Sequence, residues 1–110
     1  MTLISELDGD GLFRVLHEEQ RGVVADFWSP WCSPCRALRP HIERLAEERG
    51  ERWRFVAINT EAHPQAAESF GVKALPTIVF FRHGKELFRF AGSALVSSLD
   101  AKLEELSSSG

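Results

Sequence analysis

The chain predicts an α/β domain: a central mixed sheet of five strands flanked by four helices, in the order βαβαβαββα. Three observations carry this expectation. Val23 to Trp28 is an apolar, β-favouring run of the kind found in a central strand covered on both faces, and Thr77 to Phe81 is a second clear strand. Between them, from about Ser33 to Arg49, apolar residues recur at helical spacing (Leu38, Ile42, Leu45, Ala46). After Phe81, the stretch Arg82-His83-Gly84-Lys85 reads as a turn into Glu86 to Phe90, an antiparallel hairpin. The βαβ first half requires parallel strands with right-handed crossovers, and the hairpin adds antiparallel strands at one side.

In order, Thr2 to Glu6 reads as a short opening strand. Asp8 offers an N-cap to a brief helix whose stripe is Leu12, Phe13 and Leu16, and Gly22 closes that unit. The long helix is stopped by Gly50. Pro40 lies inside it and should kink it, because it lacks an N–H and its ring crowds the carbonyl of Arg36. Trp53 to Ile58 is a third strand, and Pro64 opens a short helix that Gly71 ends. Ser93 is placed to cap the last helix, with Leu95, Leu99, Leu103 and Leu106 at helical spacing. One domain over residues 1–106 is expected, with 107–110 a short flexible tail.

The bulk numbers exclude several functions. With 110 residues, 44% hydrophobic and 26% charged, the chain suits one ordinary globular domain. A net charge of −3 leaves no basic footprint for nucleic acid or an anionic membrane. No apolar run approaches the ~20 residues of a membrane span. Met1 to Asp8 lacks the basic segment and apolar core of a secretory signal. With two cysteines in all, a reducing cytoplasm is the expected compartment.

The chemistry sits at Trp31-Cys32-Ser33-Pro34-Cys35, where a strand hands over to a helix N-terminus. That terminus carries partial positive charge and unpaired N–H groups, which favour an anion. The thiolate is the reactive form of cysteine, so Cys32 is expected to be the activated sulfur, with Cys35 one turn further in. Closing so short a ring restrains the unfolded chain little, by only ~2 kcal/mol in the loop-entropy picture. The pair therefore reads as redox chemistry rather than a staple. A structural zinc usually wants four ligands, and His17, His41, His63 and His83 show no ligand spacing, so no metal is expected. Alternation places Asp26 on one strand face with Val24 and Trp28; on a central strand it is buried and titrates well above ~3.9.

In this element order the motif, together with Asp26-Phe27-Trp28, Pro40, Ala74-Leu75-Pro76-Thr77 and Gly92, resembles the thioredoxin family over nearly the whole chain. The resemblance implies the thioredoxin fold and a protein disulfide reductase. Cys32 would attack a substrate disulfide, and Cys35 would resolve the mixed disulfide with Asp26 as its proton acceptor. No cofactor would be bound; electrons would come from NADPH through a flavin-dependent thioredoxin reductase. Partners would be that reductase and disulfide-containing proteins, with the chain a monomer. Pro76 would be a cis-proline facing the dithiol, exposing the Leu75 backbone to an extended substrate segment. Trp31, Leu75, Pro76, Ala91 and Gly92 would form a shallow apolar rim, with Trp28 packing beneath and Pro40 structural.

Lowering the pKa of Cys32 contributes less than position does. Taking it from ~8.5 to ~7, the established thioredoxin value, raises the thiolate fraction at pH 7 about sixteenfold. Intrinsic nucleophilicity falls about fivefold, leaving a net gain of about threefold. Two residues depart from the family. Ser33 replaces a usual glycine before Pro34, so the redox poise does not carry over; its hydroxyl either donates to a sulfur or caps the helix. Ala57 stands where a lysine often faces the buried carboxylate, so desolvation of Asp26 should go less opposed. Two other functions compete: a dedicated electron donor to one partner such as a peroxiredoxin, and a non-catalytic scaffold, which the presence of both cysteines disfavours.

Overall fold

A computed structural model describes residues 3–92 and 96–108. Its elements are β1 (Ser5–Glu6), α1 (Gly9–Glu18), β2 (Gly22–Trp28), α2 (Ser33–Arg49), β3 (Trp53–Asn59), α3 (Pro64–Ser69), β4 (Thr77–Arg82), β5 (Lys85–Ala91) and α4 (Val96–Ser108). The strands form one mixed sheet in the order β1-β3-β2-β4-β5. β1 and β2 both run parallel to β3, whereas β4 is antiparallel to β2 and to β5. This is the expected class and element order, with β2 at the centre.

Period-2 alternation along the sheet sorts the core into two layers. Val24, Phe55, Ala57, Ile78 and Phe80 face α2 and α4, where they meet Leu38, Ile42, Leu45, Leu99 and Leu103. Val23, Ala25, Phe27, Val56, Ile58 and Val79 face α1 and α3, meeting Leu12, Leu16 and Ala66. β2 is buried from Gly22 through Phe27, which explains its continuous apolar run. The hairpin turn holds His83 at φ 53° and Gly84 at φ 78°, the paired left-handed residues of a turn that matches strand twist.

Several expectations are corrected. β1 begins at Ser5 rather than Thr2, and Thr2 lies outside the described residues. Gly22 opens β2 instead of closing the helix before it; a Cβ there would fall on the Trp53 ring. Phe13 does not join the stripe of α1 and is 61% exposed, stacking on His17. It follows Leu12 by one position, about 100° round the helix, so Leu12 and Leu16 take the sheet-facing side without it. Ser107 and Ser108, expected in a tail, form the end of α4, and Ser107 Oγ accepts from Trp53 Nε1 at 2.9 Å. Ser93, Leu95, Ser109 and Gly110 lie outside the described residues.

Candidate active site

β2 delivers the chain to its C-terminal end at Trp28, and α2 starts five residues later. Between them Cys32 is the N-cap of α2, with extended backbone (φ −92°, ψ 101°). Its Sγ accepts the Cys35 N–H at 3.2 Å, and its carbonyl accepts the Arg36 N–H at 3.1 Å. A sulfur thus occupies the place a serine or aspartate oxygen normally fills at a helix start. Ser33, one of the two roles left open for it, is not the cap: it is the first helical residue, with an exposed side chain. Pro34 follows within the first turn, where its missing N–H costs no helical hydrogen bond.

Cys32 and Cys35 are joined as a disulfide, with their Cα atoms 5.2 Å apart. The two differ in access: Cys32 is half-buried, while Cys35 is only 2% exposed. Arg36 Nη1 donates to the Pro30 carbonyl at 2.7 Å, tying the first turn of α2 back to the loop that precedes it. Trp31, 78% exposed, is positioned by a hydrogen bond from its N–H to Ser29 Oγ at 3.2 Å.

Sheet register brings the remaining expected rim residues to the same end. Thr77 pairs with Phe27 on one side and Ala91 on the other, so the end of β2, the start of β4 and the end of β5 lie together. The Leu75–Pro76 bond, directly before Thr77, is cis, with Pro76 buried. Thr77 Oγ1 donates to the Ala74 carbonyl at 2.6 Å and fixes this turn. Gly92, directly after Ala91, has φ 92°, a conformation that side-chain-bearing residues rarely adopt. Trp28 is half-buried against the α2/α4 layer, and Pro40 lies on the exposed side of α2.

Asp26 is 1% exposed at the middle of β2, flanked in register by Ala57 and Ile78. Neither of its carboxylate oxygens accepts a hydrogen bond among the described residues. Burial pushes it up from its ordinary 3.8 to about 6, and the positive charge of Arg39 pulls the other way. Arg39 was not anticipated. Its Nε lies 3.4 Å from Asp26 Oδ2, its Nη1 donates to Glu6 Oε2 at 2.9 Å, and its guanidinium stacks 5.0 Å from the Trp28 ring centroid. Trp28 Nε1 completes the group by donating to Glu6 Oε1 at 3.1 Å.

The expectation that desolvation of Asp26 goes less opposed is therefore corrected. The cation missing at Ala57 on β3 is supplied from α2. One signal in the sequence pointed there: Arg39 follows Cys35 by four residues, so both lie on the helix face that meets the sheet. Among the described residues no group of three or more His, Cys, Asp or Glu side chains could hold a metal. Nor is any described helix long and apolar enough to cross a membrane.

The thioredoxin family model matches residues 5–105. Mitochondrial thioredoxin-2 of Schizosaccharomyces pombe is 36% identical over 104 residues, spanning 93% of this chain and 77% of that protein. The chloroplastic M-type thioredoxin of Pisum sativum is 35% identical over 83 residues, covering 76% of this chain and about half, 48%, of the relative. Among solved structures, oxidised mitochondrial thioredoxin 3 of Saccharomyces cerevisiae superposes with a TM-score of 0.84 at 25% identity, covering 93% of this chain and 94% of the other. The thioredoxin of Malassezia sympodialis gives the same score at 27% identity, covering 96% and 91%. Topology, a Cys-x-x-Cys disulfide at a helix start and relatives matched along most of the chain all converge, and the chain belongs to the thioredoxin family of thiol–disulfide oxidoreductases.

Proposed function

We propose that the chain reduces protein disulfides, with Cys32 as nucleophile and Cys35 as resolving thiol. The Cys32 thiolate attacks one sulfur of a substrate disulfide, forms a mixed disulfide and expels the other substrate sulfur as a thiolate. Cys35 then gives its proton to the Asp26 carboxylate and attacks Cys32 Sγ. The intramolecular disulfide forms, the second substrate sulfur leaves, and two electrons have passed to the substrate. The observation that carries this reading is the asymmetry of the pair: Cys32 Sγ caps the helix and takes the Cys35 N–H, whereas Cys35 is buried. Capping stabilises the anionic sulfur both as attacker and, in the second step, as leaving group.

Of the expected rim, Trp31, Leu75, Ala91 and Gly92 keep some exposure and would offer an extended substrate segment a shallow apolar surface, while Pro76 is buried and would act through the backbone turn it fixes. Re-reduction draws on NADPH through a flavin-dependent thioredoxin reductase, with no cofactor resident in the domain. The working unit is a monomer, and its compartment is the cytoplasm. Incubation with a model disulfide protein, a thioredoxin reductase and NADPH tests the reading: one NADPH is consumed for each disulfide opened. Substrate reduction by dithiothreitol-reduced protein but no NADPH consumption would set aside the recycling route alone. No reduction under either condition removes the proposal. Fractionation of source cells, followed by blotting, decides the compartment.

A further inference from the structure

Asp26 faces a cation from α2 rather than from the neighbouring strand β3, which presents Ala57 beside it. Three contacts fix the Arg39 side chain: Glu6 Oε2 at 2.9 Å, Asp26 Oδ2 at 3.4 Å, and the face of Trp28 at 5.0 Å from its centroid. The planar guanidinium suits this place, since it pairs with a carboxylate edge-on while stacking on an indole, which an ammonium does less well. Glu6 is itself held by Trp28 Nε1 at 3.1 Å. Around Asp26, β3 and β4 present Ala57 and Ile78 in register, so among the described residues the charges facing it are Arg39 from α2 and Glu6 from β1. Cys35, one helical turn before Arg39 on α2, is buried.

We propose that Arg39, anchored by Glu6 and Trp28, is the positioning residue that holds Asp26 in its ionised, proton-accepting form and so sets the pH range over which Cys35 resolves the mixed disulfide. The proposal rests on the dithiol reading above and adds to it the residue that tunes it. Its physical content is a balance: burial disfavours the carboxylate, and a single cation 3.4 Å away returns part of that loss. Glu6 acts in both directions, fixing Arg39 while adding a like charge nearby, so the net pull on Asp26 comes from the guanidinium.

The test is a carboxyl titration of Asp26 by carbon NMR in wild type, R39M and R39K, paired with the pH profile of single-turnover resolution by Cys35. Removing the charge in R39M should raise the Asp26 midpoint by about one pH unit or more, the usual effect of an opposite charge at this range. Below both midpoints, about tenfold less carboxylate is then present to accept the Cys35 proton, and the resolution profile moves to higher pH by the same amount. R39K keeps the charge and should return most of the shift, which a merely structural role would not do. R39Q replaces R39M should the methionine variant fail to fold. An Asp26 midpoint unmoved in R39M or R39Q overturns the proposal, as do equal shifts in R39K and R39M. A moved midpoint with an unmoved resolution profile overturns the link to Cys35. Because the titration needs no substrate, it reports on Arg39 even if the chain reduced no disulfide, which would instead sink the functional reading.

Discussion

Replacing Asp26 by Asn should change the pH dependence of stability in a way that isolates one buried charge. The rise of Asp26 from 3.8 to about 6 means that the folded protein resists its ionisation more than the unfolded chain does. The sign follows from linkage: the stability associated with neutral Asp26 is fully present below about pH 4 and is lost as pH rises through about 6. At about 1.4 kcal/mol per pH unit of displacement, ionised Asp26 costs the fold about 3 kcal/mol above that window. Denaturant unfolding of the oxidised forms keeps the cysteines from titrating. In D26N the pH-dependent loss disappears, so the stability difference between variant and wild type grows by about 2.5 kcal/mol from pH 4 to pH 8. Any constant offset reflects the carboxamide's own hydrogen bonding and is subtracted by comparing the two pH values. Parallel stability curves for the two proteins would refute the argument that burial, only partly offset by Arg39, governs this carboxyl.

Further predictions concern the scaffold. Glu19, held by the Arg21 guanidinium (2.9 Å), is lowered from 4.5 to about 2, so Glu19→Gln should lose stability at neutral pH, with the difference closing as acid unfolding proceeds from pH 4.5 toward 2. Gly22→Ala drives a methyl onto the Trp53 ring, which is 1% exposed, and should cost about 1–3 kcal/mol in chemical denaturation. Leu103 is fully buried where α4 meets the α2 side of the sheet, so Leu103→Ala should cost about 2–5 kcal/mol by the same assay.

The parts of this protein legible in its sequence are those decided locally. Apolar continuity marked β2 and β4, helical spacing marked α2, and Asp8 was readable as a cap; its Oδ1 accepts the Gly11 N–H at 2.7 Å. The dithiol was legible for the same reason, because strand, break, cysteines and helix are contiguous. Residues whose role arises across elements were not. Arg39 meets Asp26 and Glu6 only after β1, β2 and α2 have packed; its spacing from Cys35 marks the helix face it shares but not the carboxylates it reaches. Phe13 looked like core because helix periodicity alone does not fix how wide the covered stripe is on a helix as short as α1. Ser33 was a plausible cap by residue type, yet the chain starts the helix one residue earlier, with a cysteine sulfur in that role.

The exchange chemistry itself is tested most directly by covalent capture. Reduced Cys35→Ser protein, mixed with a peptide bearing one disulfide, should give a one-to-one adduct linked through Cys32, seen by intact mass and released by dithiothreitol. The Cys32→Ser protein, left with only the buried sulfur, should give little or none. Equal capture by both variants, or capture by the Cys32→Ser protein alone, would contradict the assignment of the helix-capping sulfur as the attacking group.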